Sequence, residues 1–94
     1  MNIVVKKRAY NTLTKVASYI ENQNTEGSGL RWLDKVYDRI TDVADSKAIL
    51  AICHNESLAK FQYRCVTFND WVIAHKIIGN KFIVYRFVHG SRLK

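Results

Sequence analysis

The spacing of apolar residues changes along this chain, and each change predicts a new element. Ile3-Val4-Val5 is a short β-prone run ended by Lys6, Lys7 and Arg8. From there the period becomes helical, with Tyr10, Leu13, Val16, Ala17 and Ile20 on one stripe. Asn22, Asn24, Thr25, Gly27, Ser28 and Gly29 form a turn cluster, and Ser28 is placed to cap a second helix. Leu30, Leu33, Val36, Tyr37, Ile40, Val43 and Ala44 mark the apolar face of that helix. On its solvated side Arg31–Asp34, Lys35–Asp38 and Arg39–Asp42 are spaced to pair. A short turn between two such helices predicts an αα-hairpin.

Asp45 to Lys60 carries the weakest pattern. Ser46 to Ala51 is compatible with a further helical turn, and Cys53 to Ser57 reads as a loop. Beyond it, Phe61–Phe68, Trp71–Ile78 and Lys81–His89 are rich in aromatic and β-branched residues and read as strands. Asn69-Asp70 and Gly79-Asn80 separate them as hairpin turns. The predicted fold is α+β in the order β-α-α-β-β-β: one domain over residues 1–94, with an antiparallel meander joined at one edge by the first strand. The N-terminal helical hairpin packs on one face of that sheet.

Tight turns fix register. Phe68 should oppose Trp71, Val66 Ile73, Arg64 His75 and Gln62 Ile77. Across the second turn Ile77 should oppose Phe82, His75 Val84, Ile73 Arg86 and Trp71 Val88. Side chains alternate between faces. One face then carries Arg64, Phe68, Trp71, Ile73, His75, Phe82, Val84 and Arg86, with Arg92 added if the strand stays extended. The other carries Tyr63, Cys65, Val72, Ala74, Ile83, Tyr85 and Phe87, small and apolar enough to receive the helices. Arginines set among aromatics are the chemistry of interface cores, so the first face is expected to be covered by another molecule. The alternative is that Arg64 and Arg86 merely snorkel or pair.

Charge sharpens this picture. The net charge is +7, from 15 Lys and Arg against 8 Asp and Glu. After Glu56 the sole acid is Asp70, whereas Lys60, Arg64, Lys76, Lys81, Arg86, Arg92 and Lys94 are basic. An electropositive C-terminal third is expected to attract a polyanion or an acidic protein. Cys53 and Cys65 form neither a disulfide framework nor a metal spacing, and a reduced, cytoplasmic chain is the simplest expectation. No signal peptide or membrane span is visible in the pattern. Trp32 on the second helix is expected to pack. The glycines at 27 and 29 lack the preceding strand a phosphate loop needs.

The element order and the ending Phe82-Ile83-Val84-Tyr85-Arg86-Phe87-Val88-His89-Gly90-Ser91-Arg92 resemble the RelE/ParE superfamily of bacterial toxins. The stretch Leu58 to Ile78 and the hairpin with Tyr10, Leu13, Ile20 and Trp32 extend the resemblance over nearly the whole chain. It implies the toxin of a toxin–antitoxin pair, silenced by a cognate antitoxin laid across it. ParE-like members act on DNA gyrase without known enzymatic activity; RelE-like members cleave messenger RNA on the ribosome. A non-toxic member serving only as a binding partner is a third possibility. Target contact would fall to Arg64, Arg86, Arg92 and Lys60, and antitoxin contact to Phe68, Trp71, Ile73, Phe82 and Val84. A RelE-like reaction would draw on Arg64, Arg86 and Arg92, with His75 or His89 as acid or base. No cofactor or metal is implied. The reduction of the lysine-rich segment to Lys60, and the lack of a tyrosine-bearing C-terminal helix after Arg92, favour the ParE-like expectation.

Overall fold

A computed structural model describes residues 1–46 and 51–93. In chain order the elements are β1 (Asn2–Val5), α1 (Lys7–Gln23), α2 (Ser28–Ser46), α3 (Glu56–Ala59), β2 (Arg64–Phe68), β3 (Trp71–Ile78) and β4 (Lys81–His89), followed by a 3-10 turn (Gly90–Leu93). The α+β class, the helical hairpin and the three-stranded meander are as the pattern predicts. The sheet order is β1-β4-β3-β2. It is mixed, because β1 lies parallel to β4 while the other pairs are antiparallel. The short helix α3 occupies ground that the pattern assigns to a loop and the approach to a strand. The helical turn expected over Ser46 to Ala51 falls mainly on residues 47–50, outside the described residues.

The hairpin α1–α2 is tied at its bend by one carboxylate. Glu21 accepts the Gly27 amide at 2.7 Å and the Gly29 amide at 2.9 Å. These bonds hold its carboxyl below the usual carboxylate range and satisfy donors at the start of α2. The capping role expected of Ser28 therefore belongs to Glu21; the Ser28 hydroxyl instead donates to the Ile20 carbonyl. Arg31 and Arg39 also turn away from their expected helix partners. Arg31 donates to the Thr25 hydroxyl, and Arg39 donates to the Thr67 carbonyl of β2. Gly29 is buried where the helices touch, and a β-carbon there would collide with the Ala17 carbonyl.

The principal core joins Ala9 and Leu13 of α1 and Val36, Ile40, Val43 and Ala44 of α2 to Val66, Ile73, Phe82, Val84 and Phe87 of the sheet. Trp32 packs edge-on against Phe68, Trp71 and Phe87, with ring centroids 5.8–6.4 Å apart. The helices thus cover the face expected to stay open. The opposite face carries a smaller cluster, in which Cys53, Leu58 and Tyr63 of the 51–63 segment join Ala74 of β3. Cys53 and Cys65 are joined in a disulfide with Cα atoms 5.0 Å apart. This corrects the expectation of reduced thiols: the 51–53 run folds back along β2, with Ile52 bridging Arg64.

The first hairpin has the predicted register, Arg64 opposite His75, Val66 opposite Ile73 and Phe68 opposite Trp71. Gln62 does not reach Ile77; it takes a positive φ of 61° before the strand begins. In the second hairpin Ile77 opposes Phe82 and His75 opposes Val84, as expected. A bulge between Ala74 and His75 then places Arg86 opposite Ala74, Phe87 opposite Ile73 and His89 opposite Trp71. Tyr85 is the extra residue, and past it every side chain of β4 changes face.

Replacing Gly29 by Ala is expected to push the helices apart and cost about 1–3 kcal/mol. Urea denaturation measures it; a variant as stable as the parent would mean that the hairpin yields freely at this contact.

Candidate functional site

Two features of the backbone create a cleft beside β4. β1 pairs only with residues Lys81–Val84, and the Lys6 amide closes that ladder on the Val84 carbonyl at 2.8 Å. The chain then leaves the sheet as α1, so among the described residues the outer edge of β4 beyond Val84 has no neighbouring strand. At the other end Gly90 donates its amide to the Asp70 carbonyl at 2.7 Å. A β-carbon on Gly90 would stand 3.1 Å from that oxygen, so glycine allows the close approach that turns the chain back. Strand geometry stops at His89, and the 3-10 turn carries Arg92 toward α1 instead of along the sheet face.

The resulting cleft has a volume of about 770 Å³. Arg8 and Lys15 approach from α1, and Arg86 and Arg92 from the C-terminal segment. Val16, Leu58, Val88 and Trp71 supply apolar surface, and no carboxylate side chain among the described residues lines it. His89 also lines it, packed edge-on against Trp71 at 5.1 Å. The Ser91 amide donates to His89 Nδ1 at 3.2 Å, and the Ser91 hydroxyl lies 2.8 Å from the same nitrogen. A ring that accepts at Nδ1 carries its neutral-form proton on Nε2.

The expected site residues therefore separate. Arg86, Arg92 and His89 come together, joined by Arg8 and Lys15. Arg64 lies on the helix-covered face with His75, opposite to Arg86 across the sheet. Lys60 sits apart, over the Phe61 ring. The placement of Phe68, Trp71, Ile73, Phe82 and Val84 on an open face is corrected: Ile73, Phe82 and Val84 are fully buried, and Phe68 and Trp71 are half-buried beneath Trp32. The hairpin needs an apolar seat, and this face offers the larger one. Arg8 and Lys15 escape notice in the sequence because the apolar stripe of α1 says nothing about its charged side. They fall at i and i+7, on one side of the helix.

His75 is unsuited to proton transfer with an outside molecule. It is completely buried and stacked on Phe82 at 4.3 Å. Its Nδ1 lies 3.4 Å from the Ile73 carbonyl, and Nε2 has no partner among the described residues. Burial pushes its pKa below the ordinary value; the Ile73 carbonyl opposes this and the Arg64 charge adds to it.

Residues 3–94 match the sequence profile of the ParE toxin of the type II toxin–antitoxin system, parDE. Among solved structures, a chain of the chromosomal ParDE TA system from P. aeruginosa superposes with a TM-score of 0.68. The identity is 12%, with 95% of each chain covered, so this likeness speaks for the fold. No curated protein sequence matches the chain. Fold and cleft thus define a small α+β protein with a cationic sheet edge. The chain belongs to the ParE toxin family of type II toxin–antitoxin systems. No helix among the described residues is long and apolar enough to cross a membrane.

Because folding lowers the His75 pKa, the unfolded chain binds the proton more readily. Stability is expected to be level above about pH 6.5 and to fall as the pH drops below that value, by at most about 1.4 kcal/mol per pH unit from this group. His75→Leu should flatten the slope in pH-dependent urea melts. An unchanged slope would assign the acid sensitivity to other groups.

Proposed function

We propose that this chain is the toxin of a two-component pair, a ParE-like growth inhibitor that acts on DNA gyrase and is neutralised by a cognate antitoxin. The observation that carries the reading is the family match over residues 3–94. The cleft supplies it with a surface. Arg8, Lys15, Arg86 and Arg92 present positive charge beside an unpaired strand edge, with apolar floor between them. An acidic, partly apolar antitoxin segment fits there, adding backbone bonds along residues 85–89 and placing carboxylates against the guanidinium groups. The same cations serve the target when the segment is absent, so inhibition and neutralisation compete for one surface. Arg64 and Lys60 lie outside this contact.

The purified chain is expected to inhibit supercoiling of relaxed plasmid by gyrase. The double variant Arg86→Glu, Arg92→Glu should require about tenfold more protein or worse, since reversal sets like charges against the target. Undiminished supercoiling at saturating wild-type chain would remove gyrase from the reading.

One observation favours a second reading, ribosome-dependent cleavage of messenger RNA. His89 shares the cleft with Arg86 and Arg92, an acid–base group among cations able to stabilise a developing phosphate charge. On programmed ribosomes this reading expects messenger cleavage that His89→Ala lowers by about 10²-fold or more. Intact messenger with the wild-type chain disposes of it.

A further inference from the structure

On the face of the sheet away from the helices, three aromatic rings form a continuous stack. Phe61 lies on Tyr63 with centroids 5.4 Å apart, and Tyr63 lies on Tyr85 at 5.1 Å, with interplanar angles of 27° and 24°. Lysines hold positions over the rings: Lys60 5.2 Å from Phe61, Lys76 5.5 Å from Tyr63 and 5.8 Å from Tyr85, and Lys6 5.9 Å from Tyr85. The stack begins at the surface, where Phe61 is 46% exposed, and descends to Tyr63 at 9%.

The arrangement carries a local backbone cost. Between the first two rings Gln62 takes a left-handed φ of 61°, a conformation that costs a non-glycine residue free energy. It leaves a phenylalanine ring 46% exposed, stacked on the tyrosine that it helps to cover. The electrostatic setting is mainly positive, with Glu56 of α3 the acid nearest in sequence to the stack. None of the four strands contains Asp or Glu. Alternation places Lys76, Lys81 and Arg86 on this same face. The exposed acids of α2, Asp34, Asp38, Asp42 and Asp45, belong to the opposite side of the molecule.

We propose that the Phe61–Tyr63–Tyr85 stack, with Lys6, Lys60 and Lys76, is a binding platform for single-stranded nucleic acid. Unpaired bases extend the ring stack from Phe61, and the lysines move from the rings to the phosphates. Aromatic rings interleaved with cations are the chemistry by which sheets hold single strands without reading sequence. A duplex keeps its bases stacked inside and gains only the phosphate contacts. The platform is distinct from the cleft beside α1, and its occupation does not depend on the toxin reading.

Fluorescence anisotropy of a labelled twelve-base thymidine oligonucleotide with the full-length chain tests this. The single strand is expected to bind, weakening as salt rises. An abasic strand of equal length and charge should bind about tenfold more weakly, as should Phe61→Ala toward the intact strand. Lys76→Ala should reduce the salt slope. Truncating Phe61 also uncovers Tyr63, whereas the abasic comparison needs no variant and so separates base stacking from any effect on folding. Equal affinity for intact strand, abasic strand and duplex would overturn the proposal in favour of charge alone. No binding, or tighter binding of an acidic peptide of equal charge, would overturn it as well.

Discussion

The bulge at Tyr85 decides what each face of the sheet carries. Below it, Phe82 and Val84 alternate toward the helices; above it, Phe87 takes that place because one residue has been passed over. Without the extra residue Arg86 would point into the seat of α1 and α2. A buried guanidinium without a partner costs several kcal/mol. With it, Arg86 moves to the cleft and Phe87 completes the ring cluster around Trp32, while Tyr85 keeps the place beside Tyr63 on the far face that regular alternation from Ile83 gives it. One insertion in the ladder thus relieves a core defect and supplies the cleft with a cation.

The cleft depends on a second feature, the brevity of β1. Four residues suffice to cover half of β4, and the chain then changes period at Lys7 and crosses the sheet as α1. A longer first strand would have sealed the edge. The acid at Glu21 and the glycine at 29 set how closely α2 returns against α1. They help fix how α1 stands over β4, and so the position of Arg8 and Lys15 opposite Arg86 and Arg92.

Much of this is legible in the sequence. The two helical periods, the turns at Asn69-Asp70 and Gly79-Asn80, and the register from Arg64 to Phe68 against β3 come from patterning and turn chemistry alone. The bulge is not legible, because two-residue turns propagate register only as far as the ladder stays regular. That single irregularity is why a regular ladder puts Arg86 on the wrong face. The choice of covered face fails for a different reason. Small residues at Ala74 and Cys65 suggest room for helices, but they make room for Leu58 and Cys53 from the intervening segment. The bulky residues at Phe82, Ile73 and Val84 suggest an exposed interface, but they meet the small Ala9 of α1 and Ala44 of α2. Complementarity of size across an interface cannot be taken from one side of it.

Size matching also explains why a histidine sits in the core. His75 occupies a position whose neighbours are Phe82 and Ile73, and its Nε2 is left without a partner among the described residues, a cost of about 1–3 kcal/mol. Flat stacking on Phe82 offsets part of that cost; burial lowers the pKa of the ring, the Ile73 carbonyl opposes this, and Arg64 on the adjacent edge strand adds repulsion to the burial. A polar residue in a strand is therefore weak evidence that its face meets water. What decides exposure here is which face the hairpin can fill more completely, and the hairpin sets its apolar stripe against the larger rings.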